Sequence, residues 1–261
     1  MRDLRIISCL LLLACTGNGL AESQSATMQG DTHFVVGTQV WQPGKQFAKG
    51  TDWLALSCTA QGCTLEPAQL EVKPESWQGH YDDQATQGQK LTFKKVTPSA
   101  GRVIAWFHAA KAPGWLRAGH VPTYHSTAQR LKPPPGPGTL ETLVELPDGQ
   151  TATLVPMLLR EKTENRDGPR FLLQLRSGNQ RQFLSGELGI CSRVVDTRYL
   201  LWAGDLDGDG KADYLVSFID ADGPVHLYLS GQASDKQLVG LAGEYNAPPD
   251  GGECDGGGWL N

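Results

Sequence analysis

The stretch Asp205-Leu-Asp-Gly-Asp-Gly-Lys-Ala-Asp213 places four carboxylates within nine residues, between two apolar runs. Counted from Asp205, side-chain oxygens fall at positions 1, 3, 5 and 9 (Asp205, Asp207, Asp209 and Asp213), with Gly210 at position 6. That spacing suits a chain wrapped around a cation. Alternate side chains point inward, the glycine allows a sharp turn, and the main-chain carbonyl at position 7, here Lys211, adds another oxygen. Hard oxygen donors in this number favour calcium, which takes about 6–8 of them in loose geometry, over magnesium, which keeps its water, and zinc, which prefers nitrogen and sulfur. The competing reading is an acidic turn without metal, because Asp-Gly pairs form turns readily. It accounts for two aspartates better than for four, since like charges about 4–6 Å apart repel unless a cation offsets them. The expected cofactor is therefore calcium, with Asp205, Asp207, Asp209, Lys211 (through its carbonyl) and Asp213 as its ligands.

An EF-hand would carry a bidentate Glu at position 12 between two helices, and here position 12 is Val216, inside a β-type run. The loop instead resembles the D-x-D-x-D-G-x-x-D loop of FG-GAP and VCBS repeats, and Ala203-Gly204-Asp205 and Tyr214-Leu215-Val216 resemble that repeat's flanks. The resemblance covers roughly 20 residues. It implies a loop joining two strands, with Asp213 completing the ligand set. Full copies are missing: Asn165-Arg-Asp167-Gly168 and Asp220-Ala-Asp222-Gly223 are partial echoes, and the second has His226 where the last ligand should stand. A propeller of at least four blades does not fit into about 120 residues, so one metal loop in a small sandwich or barrel is expected.

Strands must position that loop. Tyr199 to Ala203 and Tyr214 to Ile219 are almost continuously apolar, as expected of central strands covered on both faces. Other β-type runs are His33 to Val40, Trp53 to Ser57, Thr64 to Val72, Lys90 to Val96 and Arg102 to His108. Further along come Leu140 to Leu146, Ala152 to Arg160, Arg170 to Leu175, Arg181 to Ser185, Val225 to Ser230 and Leu238 to Ala242. Tight turns are expected at Leu146-Pro-Asp-Gly149 and Asp220-Ala-Asp-Gly223, and no window of useful length keeps a helical apolar stripe. Leu131-Lys-Pro-Pro-Pro-Gly-Pro-Gly138 forbids helix and strand and favours an extended linker. The expected fold is all-β, with two small sandwich-like or barrel-like domains, 28–130 and 139–261, joined by the Pro/Gly-rich linker 131–138.

With 261 residues, 39% of them apolar and 20% charged, the chain can bury a core. Its net charge is −5 and it shows no clustering of Lys and Arg of the kind phosphate binding needs, which argues against nucleic acid as a partner. Residues 1–21 read as an export signal: Arg2 and Arg5, the apolar run Ile6 to Ala14, and Gly19-Leu20-Ala21 at the cut. Leu12-Leu13-Ala14-Cys15 alternatively resembles a bacterial lipobox, which would put a lipid anchor on Cys15 as the one link to a membrane. Export makes Cys58, Cys63, Cys191 and Cys254 candidates for two disulfides. Three pairings are open; the short spacing favours Cys58 with Cys63, leaving Cys191 with Cys254. A zinc site is disfavoured, because no C-x-x-C or finger-spaced histidine is present.

Trp41, Trp53, Trp77, Trp106 and Trp115 crowd the first half and allow a glycan-stacking surface, although core packing is the more economical use. His108, His120 and His125, or His80 with Asp82 and Asp83, lack metal-site spacing. Nucleophile-elbow, S-x-x-K, Walker and dinucleotide-binding motifs are missing. A non-catalytic, calcium-stabilised module is expected, exported to the periplasm or beyond and bound to a glycan or an envelope protein. A carbohydrate-binding module or a hydrolase with a dispersed site are the alternatives.

Overall fold

Alternating and continuous apolar runs give strands throughout the computed structural model, which describes residues 32–37, 39–44, 47–78, 84–109, 114–126, 141–159, 170–188, 199–218 and 224–246. The first eight strands are β1 (Phe34–Val35), β2 (Gln39–Pro43), β3 (Gly50–Thr59), β4 (Gly62–Trp77), β5 (Thr86–Lys95), β6 (Arg102–His108), β7 (Gly119–Val121) and β8 (Thr123–Ser126). The later eight are β9 (Thr142–Glu145), β10 (Thr151–Leu159), β11 (Arg170–Ser177), β12 (Gln180–Leu188), β13 (Leu200–Gly204), β14 (Asp213–Ser217), β15 (Pro224–Leu229) and β16 (Gly240–Asn246). A single turn of 3-10 helix, Ser230–Gln232, follows β15, and no α-helix occurs among the described residues. The fold is all-β, as its sequence implies.

Three antiparallel sheets stack in layers. A seven-stranded sheet runs β1-β6-β3-β4-β5-β2, with β7 added beside β4; a five-stranded sheet runs β16-β15-β14-β13-β8; a four-stranded sheet runs β12-β11-β10-β9. Alternate side chains of the five-stranded sheet go to opposite faces. Leu201, Leu215, Leu227 and Leu229 join the core shared with the seven-stranded sheet. Leu200, Val216, Phe218 and Tyr228 join the core shared with the four-stranded sheet. Strands β13 and β14 are buried along their whole length, the two-sided cover expected of their continuous apolar sequence.

β8 lies before the proline-rich stretch yet pairs with β13, His125 standing opposite Ala203. The layers are also tied by Thr32 N donating to the Ala242 carbonyl at 3.1 Å and by Gln42 Nε2 donating to the Tyr245 hydroxyl at 3.3 Å. The expected linker 131–138, the export signal with Cys15, and Cys191 with Cys254 lie outside the described residues. Cys58 and Cys63 face one another across the β3–β4 hairpin and form a disulfide. Replacing both by alanine is expected to cost about 2 kcal/mol, the entropy of closing a loop of about six residues, read from urea unfolding.

His125 is buried at 3% exposure, its Nε2 has no hydrogen-bond partner among the described residues, and burial holds its pKa below the ordinary histidine value. A histidine held neutral in the folded state contributes stability above its unfolded pKa of about 6.5 that is lost as pH falls toward the lower folded value. Melting wild type beside His125→Leu isolates this effect. The leucine variant is expected to gain on wild type as pH drops from about 7.5 to about 5; a gap independent of pH would contradict it.

Candidate metal centre

The loop from Asp205 to Ala212 joins the ends of β13 and β14, so two fully buried strands fix where its first and last carboxylates start. Gly208 and Gly210 take φ of 79° and 82°, the left-handed conformation that side-chain-bearing residues adopt at a cost, and they let the chain turn back twice in five residues. The carboxylate oxygens of Asp205, Asp207 and Asp209 come within 4.8 Å of one another, a group able to hold a metal ion. Among the described residues no other set of three His, Cys, Asp or Glu side chains does so.

Main-chain N–H groups organise these carboxylates. Gly208 N donates to Asp205 Oδ1 at 2.7 Å and Gly210 N to Asp205 Oδ2 at 3.0 Å. Asp209 N donates to Asp207 Oδ1 at 3.2 Å, and Lys211 N to Asp209 Oδ1 at 2.8 Å. The short turn after β15 closes the open side: Gly231 N donates to Asp207 Oδ2 at 3.2 Å and Ser230 Oγ to Asp209 Oδ1 at 2.9 Å. The oxygens of Asp205 and Asp207 each accept one bond and keep a second lone-pair direction, and Asp209, whose Oδ1 accepts two, offers its Oδ2, so N–H capping and metal coordination are compatible.

Asp213 has a different place. It is fully buried and stands outside the three-carboxylate group. Its Oδ2 accepts from Leu206 N at 2.6 Å and Asp207 N at 3.3 Å; its Oδ1 accepts from Ser230 N at 2.8 Å and Ser230 Oγ at 3.1 Å. One carboxylate thus ties the start of the acidic loop to the turn that covers it.

The electrostatics run against four bare anions. Burial, reinforced by the charge of Asp207, pushes the Asp213 carboxyl up to about 7 even though three N–H donors act in the other direction. Burial and then Asp209 push Asp207 up as well. The Tyr124 hydroxyl of β8 is raised by burial and by Asp205, Asp213 and Asp209. Among the described residues no Lys or Arg forms an ion pair with any of the four aspartates. Oxygen-only donors, a local excess of negative charge and no basic partner are the conditions under which a hard cation is held.

The sequence pattern did not reveal Ser230 and Gly231. They are brought in by β14–β15 pairing, roughly 20 residues downstream, and carry no local spacing signal. The other candidates scatter. Trp53 and Trp106 are buried at 3% and 2%, inside the core, and Trp115 packs against it, so those three form no stacking surface. The side chains of Trp41 and Trp77, and residues His80, Asp82 and Asp83, lie outside the described set. His108 pairs with Asp52 at 2.9 Å, and His108, His120 and His125 sit on different strands without gathering into a site. The chain matches no protein-family model, no curated protein and no solved structure.

Proposed function

We propose that this is an exported, calcium-stabilised β protein that acts as a non-catalytic binding or envelope-associated module. The observation carrying that reading is the convergence of the Asp205, Asp207 and Asp209 carboxylates on a loop held between two buried strands. Calcium is preferred over other cations because every side-chain donor in the group is a carboxylate oxygen and the loop offers further oxygens in number. The Lys211 carbonyl and Asp213 complete the shell, Asp213 exchanging its longest contact, the 3.3 Å bond from Asp207 N, for the ion. The Cys58–Cys63 disulfide supports an oxidising compartment, in keeping with export.

The bound ion cross-links the β13–β14 loop to the β15 turn through Asp207 and Asp209, both of which already contact that turn. Its role is structural: it offsets the repulsion that otherwise weakens this end of the central sheet. Equilibrium dialysis with radioactive calcium is expected to give one ion per chain with a dissociation constant of about 0.1–1 mM, as for extracellular calcium modules. Tenfold more magnesium is expected to displace little of it, because magnesium demands stricter geometry and sheds water reluctantly. Absence of saturable calcium uptake would remove the basis for this function.

A further inference from the structure

We propose that the outer face of the four-stranded sheet docks a second copy of this chain. Leu154, Leu173, Leu175 and Leu184 point inward to the core, so their alternate neighbours form the opposite face. That face is exposed where a sheet should be polar: Leu143 at 58%, Phe183 at 52% and Met157 at 37% are three of the four exposed large apolar side chains of the described residues. It is also electrically divided. Arg176 and Arg181 stand directly opposite each other on β11 and β12, and neither has a carboxylate partner among the described residues. Like charges facing across a strand pair repel, so this arrangement is unfavourable in a lone copy. The exposed carboxylate of Glu145, and that of Glu141 just before the strand, lie on the β9 side, two strands from Arg176.

Basic on β12 and β11 and acidic at β9, with an exposed apolar side chain on each edge strand, Phe183 on β12 and Leu143 on β9, the face is complementary to itself. A twofold axis running along the strands between two such faces lays β12 of one copy over β9 of the other. Stacked sheets sit about 10 Å apart, within reach of arginine side chains, so Arg176 and Arg181 meet Glu141 and Glu145 of the second copy. Phe183 of one copy then comes over Leu143 of the other at each edge of the interface. The face spans roughly 15–20 Å across its four strands and 25–30 Å along them, about 400–600 Å² per partner, at the low end of interface size and in keeping with a weak dimer. An acidic polymer would satisfy the arginines but leave the glutamates facing like charge, which favours the second copy.

The test is sedimentation velocity of the full folded chain from about 1 to 100 µM, in EGTA and again in calcium. Wild type is expected to dimerise in both, which keeps the result independent of the metal loop. Arg176→Glu with Arg181→Glu, and separately Glu141→Lys with Glu145→Lys, are each expected to raise the dissociation constant at least about tenfold. All four changes in one chain are expected to restore the dimer, as is mixing the two double variants. Circular dichroism verifies that each variant is folded, and mixing keeps the test valid if the fourfold variant is not. A wild type monomeric at the highest concentration, a dimer indifferent to both double variants, or failure of mixing to restore association would overturn the proposal.

Discussion

In 10 mM calcium, about 100 times the dissociation constant of a tight extracellular site, the protein is expected to melt about 5–10 °C higher than in EGTA. Ligation at that excess adds about 2.7 kcal/mol, and a chain of this size gains about 2–4 °C per kcal/mol. Asp207→Asn together with Asp209→Asn is expected to abolish the response. The same pair should melt higher than wild type in EGTA, because it removes two negative charges from a cluster that has no basic partner among the described residues. These opposite signs separate a cation site from an ordinary acidic turn, for which removing charge matters little in either buffer. An identical wild-type melt in calcium and EGTA would refute the calcium assignment.

Asp213→Ala is expected to be the most damaging single change at the loop, costing roughly 3–5 kcal/mol in urea unfolding and taking the calcium response with it. The aspartate is fully buried and accepts from Leu206 N, Asp207 N, Ser230 N and Ser230 Oγ. Alanine leaves the N–H groups of Leu206 and Ser230 without partners, and a buried orphaned donor costs about 1–3 kcal/mol. Asp213→Asn should fall between, since one oxygen survives while an NH2 group must face donors on the other side. A loss below about 1 kcal/mol for alanine would show that the loop does not depend on this anchor.

The strands were legible because their signals are local. Continuous apolar sequence marked β13 and β14, and the short Cys58–Cys63 spacing marked a hairpin staple. The group formed by Asp205, Asp207 and Asp209 was legible for the same reason, since alternation within one loop suffices to gather them. What escaped depends on long-range pairing. β7 and β8 are three and four residues long and flank Pro122, too short to show a period, yet β8 is the strand that joins the earlier part of the chain to the central sheet. Ser230 reaches Asp209 and Asp213 only because β15 pairs with β14. The tryptophans were ambiguous by type alone, and only packing shows that Trp53 and Trp106 lie in the core.

The most direct test is a crystal structure grown in calcium, with diffraction also recorded at long wavelength where calcium scatters anomalously. One anomalous peak is expected about 2.3–2.6 Å from carboxylate oxygens of Asp205, Asp207 and Asp209. An ordered loop at saturating calcium with no such peak would contradict it.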